Sequence, residues 1–561
     1  MKASYCVSQN LSMSLKCMKE DESQIHKYRK GSRYVWWGYE VNTSSDDCIA
    51  AINSYSHQVL GYGREKKVIL EAPLYDKDYV LGNVLAAHYL ISSDLSRAKT
   101  YVKAAESYLG KATPYEKAVF KAVNYLISDN MDEDVALELH FKLLKKFPRD
   151  LLSWKRVEIL CFYMGRPDLS LPLFKKIIPE NRDQDYVYGM LAFPLLELGH
   201  LAEAEKAARK AYEINKNDTW AHHCLCHVLQ TECRFNEAVE FMEGCSASWD
   251  SCSSLRYSHN WWHVAVCYLE GGSPLSKVQE IYDHQMCKEL EKEDAVATDV
   301  YMEALGLLLR LDTRDKLDEF LDRLKILANC LTDIGMWYQE WLFDITIIWA
   351  LSKVGNTSQA HVLLEGLKSR TSKMSKKKQQ LMQKAIQVAE AVYEYGKGNY
   401  KKALELLGPD FDAADYKVIG ASDLQMDVFN EIWYKLLLLN GESSSAIKVL
   451  ERRIRQRDGA PFLWRLLSVV SPPKSDGRTI YYHIVDDEGH VGDESTVGYA
   501  CKFKGNSVAE LTRTLREETC LEDAVVCTRS PLDGKLFPLR LQLPPSIGTL
   551  HVVLVPFCAS I

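Results

Sequence analysis

The chain has 561 residues, of which 47% are apolar and 26% charged, with only 17 prolines; that balance supports a large folded core and excludes a chain dominated by disorder. A net charge of −7 with a pI near 6.1 gives no global attraction to phosphate or to anionic lipid, so nucleic acid is not expected as a partner. The longest apolar runs, LWRLLSVV and ITIIWAL, fall well short of the roughly 20 residues that cross a bilayer, so no membrane insertion is expected either.

Residues 1–39 read as an N-terminal arm. They lack the apolar core of a signal peptide and carry acidic residues that a mitochondrial presequence would avoid, so export is not expected. The stretch YVWWGYE is expected to pack Trp36 and Trp37 on the first repeat rather than to anchor a partner. Sixteen cysteines without a disulfide framework fit reduced thiols, which points to the cytoplasm, with the nucleus as the alternative.

From residue 40 to residue 470 the pattern is helical and repetitive. LGNVLAAHYLISSDLSRAKTYVKAAES reads as an early helical pair, and MDEDVALELHFKLLKKFPRD places Pro148 where a second helix ends. Between 150 and 245 the period becomes explicit. The turn residues Gly165, Gly199 and Cys233 are 34 residues apart, and so are the small residues Ser170, Ala204 and Ala238 that follow each turn by five. This is the tetratricopeptide spacing, in which a small residue lets helix A approach helix B. The same offset of five recurs at Gly355 and Ala360, Gly398 and Ala403, and Gly441 and Ala446. Stacked units of this kind line a concave groove with their A helices, and function is sought there.

In the frame set by Gly199 and Cys233, an A helix starts near Thr219. His223 and His227 then take its fifth and ninth positions, facing the groove one turn apart. The next unit turns at Gly271 or Ser273. With Ser273, His263 lies beside His223, Trp262 is the buried anchor, and His259 opens the helix. In the following unit Asp294 is expected to cap an A helix and Asp299 to face the groove. The candidate groove residues are therefore His223, His227, His259, Trp262, His263, Asp294 and Asp299.

Imidazoles with a carboxylate suit Zn²⁺ or Fe²⁺, so His223, His227 and His263 are candidate metal ligands. The same group suits a general base, with Asp299 orienting His263. The competing reading is structural, with histidines bonded between repeats and Trp220, Trp261 and Trp262 as packing. KMSKKKQQ at 373–380 reads as a solvated face, with a nuclear address as the alternative. No phosphate loop, dinucleotide fingerprint, H-E-x-x-H or nucleophile elbow occurs, and no cofactor is expected.

After APFLWRLLSVV the character changes. SPPKSDGR, spanning 471–478, reads as a linker, and 479–561 as a small α+β module: TIYYHIVDDEGHVG as a hairpin, SVAELTRTLREETCLEDA as a helix and GTLHVVLVPF as a buried strand. Hairpin, helix and strand in that order suit a ubiquitin-like unit.

The stretches VILEAPLYDKDYVLGNVLAAHYL, CFYMGRPDLSL, YGMLAFPLLELG, HNWWHVAVCYLEG, YDHQMCKELEKEDAV and GASDLQMDVFNEIWY resemble the tetratricopeptide repeat protein 38 family in its plant form, over residues 35 to 468. The resemblance implies a helical repeat protein of the cytosol without established chemistry. The chain departs from that pattern after PFLWRLL, where the family continues its last helical pair. Either the C-terminal module caps the array, or it belongs to an unrelated coding segment joined to it.

The fold expected is thus an all-α tetratricopeptide-type solenoid followed by a small α+β segment. The function expected is a non-enzymatic scaffold that binds a peptide or helix of a partner protein in an open concave groove. The alternative is a hydrolytic or metal-dependent enzyme built on the His/Asp cluster, which calls for a closed pocket instead.

Overall fold

The residues that marked the 34-residue period end their helices in the left-handed region, with φ of 64° at Gly165, 78° at Gly199, 59° at Cys233, 94° at Gly355, 81° at Gly398 and 76° at Gly441. The small residues five positions later are all buried, from Ser170 to Ala446, so each outer helix lies close against its inner partner. The structure, a computed structural model, describes residues 34–129 and 131–470 and, between 478 and 556, the strands and helix of a small sheet. Most of the arm (1–33) and nearly all of the linker (471–477) lie outside the described residues.

The inner helices are α1 (Val80–Leu90), α2 (Pro114–Ile127), α3 (Leu151–Tyr163), α4 (Val187–Glu197), α5 (Thr219–Thr231), α6 (Ser254–Glu270), α7 (Ala297–Thr313), α8 (Trp341–Lys353), α9 (Lys376–Gly396), α10 (Asp423–Leu439) and α11 (Pro461–Val470). Antiparallel outer helices separate them. Val35, Trp37 and Val41 are buried, and Trp37 donates its indole N–H to the Tyr115 hydroxyl at 2.9 Å. Phe462, Leu463 and Leu467 are buried too, so α11 packs on the outer helix before it and covers the end of the last pair. No helix among the described residues is long and apolar enough to cross a membrane.

The superhelix closes on itself. A Cβ on Gly165 would lie 2.9 Å from that of Lys417, and one on Gly420, whose φ is 78°, would lie 2.8 Å from the Tyr163 ring. The turn after α3 therefore touches the segment before α10 directly. Lys417 bridges Glu197 at 3.3 Å and Asp423 at 2.8 Å. Deeper inside, Arg310 and Arg314 of α7 pair with Glu431 of α10 at 3.0 and 2.5 Å, and Arg457 pairs with Glu270 of α6 at 2.9 Å. Burying these charges is offset by pairing them across the closure. α5 and α6 have neighbours on every side: each residue from Thr219 to Gln230 is buried, and so are nearly all of Ser254 to Glu270. What the repeat period predicted as an open trough is here a closed interior.

The C-terminal sheet has the order β2-β1-β5-β3-β4, from β1 (Arg478–Ile484), β2 (Tyr499–Phe503), β3 (Ala524–Arg529), β4 (Leu536–Pro538) and β5 (Leu550–Pro556). β1 runs parallel to β5 and antiparallel to β2, and β3 runs antiparallel to β4 and β5. Helix α12 (Val508–Thr519) follows β2 and puts Leu511 and Leu515 against Ile480, Val526 and Leu554, giving the sheet a core of its own.

Candidate metal centre

Four imidazoles meet where α5 packs against α6. His223 and His227 stand one turn apart on α5, and His259 and His263 one turn apart on α6, so each helix offers a pair on one face. Asp218 fixes the start of α5 by accepting the backbone N–H groups of Trp220 and Ala221, both at 3.1 Å. The Nε2 atoms converge: 2.9 Å between His227 and His223, 3.0 Å between His223 and His259, and 3.2 Å between His259 and His263. One ligand atom from each of the four lies within 4.8 Å of all the others.

The neighbours decide which ring nitrogens carry protons. Burial alone would raise the Glu270 carboxyl, but the guanidiniums of Arg457, Arg314 and Arg310 overcome it and hold the pKa at about 2. An ionised Glu270 only accepts, so it turns the amide N–H of Gln230 toward itself at 3.3 Å. The Gln230 oxygen then faces His263 Nδ1 at 3.0 Å, which places the proton on Nδ1. Likewise His259 Nδ1 sits 2.9 Å from a Glu303 oxygen, at ion-pair distance though off the line of a straight hydrogen bond. That oxygen tolerates a proton there and not a second lone pair. With the proton of each ring on Nδ1, the two Nε2 atoms face each other as lone pairs at 3.2 Å.

Such an arrangement repels unless something positive sits between the nitrogens. Burial drives the pKa of His223, His227 and His263 well below the ordinary value, and the neighbouring positive groups add to it, so protonating any of these three is a costly remedy. A divalent ion is the other. Tetrahedral zinc with nitrogens at about 2.0–2.1 Å sets neighbouring ligand atoms about 3.3–3.4 Å apart, within a few tenths of an ångström of the three contacts here. His263 and His259 are oriented from behind by Gln230 and Glu303, as ligating imidazoles usually are.

The centre borders a cavity of about 260 Å³ to which His223, His259 and Glu303 contribute. Its apolar wall includes Phe162, Phe193, Trp220, Met302 and Leu342. Burial lifts Asp299 to about 6 despite the Leu255 N–H it accepts at 3.1 Å, and also raises Glu340, which accepts the Tyr163 hydroxyl at 3.0 Å.

The remaining sequence candidates land unevenly. Trp262 is buried as expected, with its ring stacked on His259 at 5.4 Å. His259 does not open its helix: α6 starts at Ser254, which places His259 in the second turn as a full member of the cluster. The turn after α6 is at Gly272, φ 76°, and not at Gly271 or Ser273. Asp294 caps nothing, since α7 begins at Ala297; it pairs instead with Arg64 at 3.2 Å. Asp299 does not orient His263 but binds the start of α6 through Leu255, and Glu303, one turn further along α7, stands behind His259. Glu303 and Gln230 escaped the sequence reading, although each lies one helical turn from a residue it did select.

Residues 476–555 match the family model described as the DUF569 associated ubiquitin-like domain. Among solved structures, the chain is similar to the human IFIT1 dimer with m7Gppp-AAAA, at 16% identity and a TM-score of 0.36 over 77% of this chain and 87% of that one. It is also similar to the P58(IPK) TPR domain, at 13% identity and a TM-score of 0.18 over 64% of this chain and 97% of that one. The fold is that of the TPR-like helical repeats. One expectation is corrected: nucleic acid is not excluded, and the human IFIT1 structures to which the chain is similar are solved with m7Gppp-AAAA and with PPP-AAAA. A net charge of −7 is a sum over the whole chain, whereas recognition depends on the local distribution of charge.

Proposed function

We propose that the chain is a metal-binding TPR-like protein, in which His223, His227, His259 and His263 hold a divalent transition-metal ion at the edge of a small-molecule chamber. The observation that carries this reading is the convergence of four buried imidazoles, with neighbouring Nε2 atoms 2.9–3.2 Å apart and one ligand atom from each within 4.8 Å of all the others. An all-imidazole set suits zinc, copper, nickel or iron rather than magnesium or calcium. The adjacent cavity leaves room for a ligand to approach the ion from the side of His223 and His259. This is the metal-dependent alternative raised by the sequence, and the closed interior supports it over a peptide laid in an open groove.

Interaction through other surfaces is the second reading, favoured by the repeat fold and by the C-terminal segment that matches a ubiquitin-like family model. Membership of the tetratricopeptide repeat protein 38 family, division into an arm, a solenoid, a linker and a C-terminal module, and a cytoplasmic location belong to the same proposal. The described cysteines, all free thiols, support the location.

Elemental analysis by mass spectrometry tests the main reading, on full-length protein purified without nickel resin or chelator, beside the His223→Ala, His263→Ala double variant. About one equivalent of a transition metal in the wild type and almost none in a variant with native circular dichroism is the expected result. Absence of metal from the wild type, even after incubation with excess zinc and desalting, would sink the proposal.

A further inference from the structure

Arg256, a cation in the chamber wall, rests on aromatic faces but has no carboxylate in ion-pair contact among the described residues. It is 5% exposed. Its Nε and Nη1 have no hydrogen-bond partner. Every other charged group of that wall is engaged: Glu158 with Lys155 at 2.5 Å, Glu303 with His259, Asp299 with the Leu255 N–H, and Glu340 with the Tyr163 hydroxyl. A buried guanidinium without a hydrogen-bond acceptor is costly, and ring faces do not satisfy its N–H groups.

Its surroundings define what fits. The guanidinium carbon lies 4.3 Å from the centre of the Tyr62 ring and 4.5 Å from that of Trp220, over ring faces that accept none of its in-plane N–H hydrogen bonds. Arg256 and His259 are three residues apart on α6 and line the same cavity, so one molecule can reach both. We propose that the chamber binds a small monocarboxylate with an apolar body, its carboxylate on Arg256 and its far end beside the histidine centre. The identity of that far neighbour rests on the metal reading above; the carboxylate site itself does not. Phe162, Phe193, Met302 and Leu342 supply the apolar wall. A single negative charge is selected because Asp299, Glu303 and Glu340 share the cavity and would repel a doubly charged phosphate.

Isothermal titration calorimetry with benzoate, phenylacetate and hexanoate tests this, against benzamide and phenyl phosphate as controls. Each titration uses metal-loaded and chelator-treated full-length protein and the Arg256→Met variant. At least one carboxylate is expected to bind at least tenfold more tightly than the amide and the phosphate, and at least tenfold more weakly to Arg256→Met. That variant is expected to melt no lower than the wild type, because it removes an unpaired buried charge; a strong drop in its melting temperature would show a structural cation and overturn the site. Equal binding of amide and carboxylate, preferential binding of phenyl phosphate, or equal carboxylate binding to both proteins would each overturn it as well. Carboxylate binding that needs Arg256 but ignores chelation, in a protein that takes up no metal, would keep the carboxylate site and discard the metal reading. Stoichiometric metal with no carboxylate bound would do the reverse.

Discussion

Replacing Glu270 by glutamine tests how the superhelix is closed. The carboxylate is met by Arg457 at 2.9 Å, Arg314 at 3.1 Å and Arg310 at 3.4 Å, all buried. Its pKa of about 2 in the fold compares with about 4.3 in an unfolded chain. Linkage converts that gap into about 3 kcal/mol of stability at pH 7, close to the about 3–5 kcal/mol that breaking a buried pair costs. The sign follows from the depressed pKa: the contribution is complete above about pH 4.3 and is lost as the pH falls toward 2, with about half gone by pH 3. Arg457 joins the chain beyond α10 to α6, so the loss belongs to the opening of α10 and α11 rather than to the whole array. Amide hydrogen exchange at residues 423–470 is therefore the assay, and about 3 kcal/mol corresponds to exchange on the order of 100-fold faster at pH 7. Exchange unchanged there in Glu270→Gln, or accelerated equally in α1 and α2, would refute the reasoning.

Burial pushes the Asp344 carboxyl up to about 7, against the Tyr338 N–H and Arg370 that favour its ionised form. Its raised pKa means that stability is greatest below about pH 4 and is lost as the pH rises toward 7. Asp344→Asn, which keeps an acceptor for the Tyr338 N–H, should raise stability by about 3–4 kcal/mol at pH 8 and lose most of that gain at pH 5, read as melting temperature. Gly420→Ala should cost about 1–3 kcal/mol, since it combines a φ of 78° with a Cβ 2.8 Å from Tyr163. Gly441→Ala, at a φ of 76° with open space around it, should cost about 1 kcal/mol, and equal losses in thermal melts would argue against contact between the two ends of the closure. Chelation should lower the melting temperature of metal-loaded protein and zinc should restore it, because an ion present at 1,000 times its Kd stabilises by about 4 kcal/mol; a melt indifferent to both would count against the centre.

The difference between a groove and a chamber explains what could be read from the sequence. The turns were legible because left-handed backbone favours glycine, and the buried small residues were legible because helix pairs of this kind need them at a fixed offset. The histidine pairs were legible for the same local reason, i to i+4 on one helix. Closure was not, because it depends on contacts such as Gly165 with Lys417 and Arg310 with Glu431, far apart in the chain and set by the accumulated curvature of many repeats. The frame was also uncertain at the site itself: α6 is long, and 39 residues rather than 34 separate Cys233 from Gly272, while the carboxylate behind the histidines is Glu303, one turn beyond Asp299. Closure is also what gives the histidines their chemistry. In an open groove, water would solvate four imidazoles and each would choose its own tautomer. Inside, Arg457 and its neighbours keep Glu270 ionised, Glu270 orients Gln230, and Gln230 fixes the proton of His263 away from the cluster. A residue more than 190 positions along the chain thus helps to decide that a lone pair, and not a proton, points at the centre. Glutamine at 270 should therefore lower metal affinity as well as loosen α10 and α11. The reason is that Gln230 would then be free to turn its amide over and His263 to adopt the other tautomer.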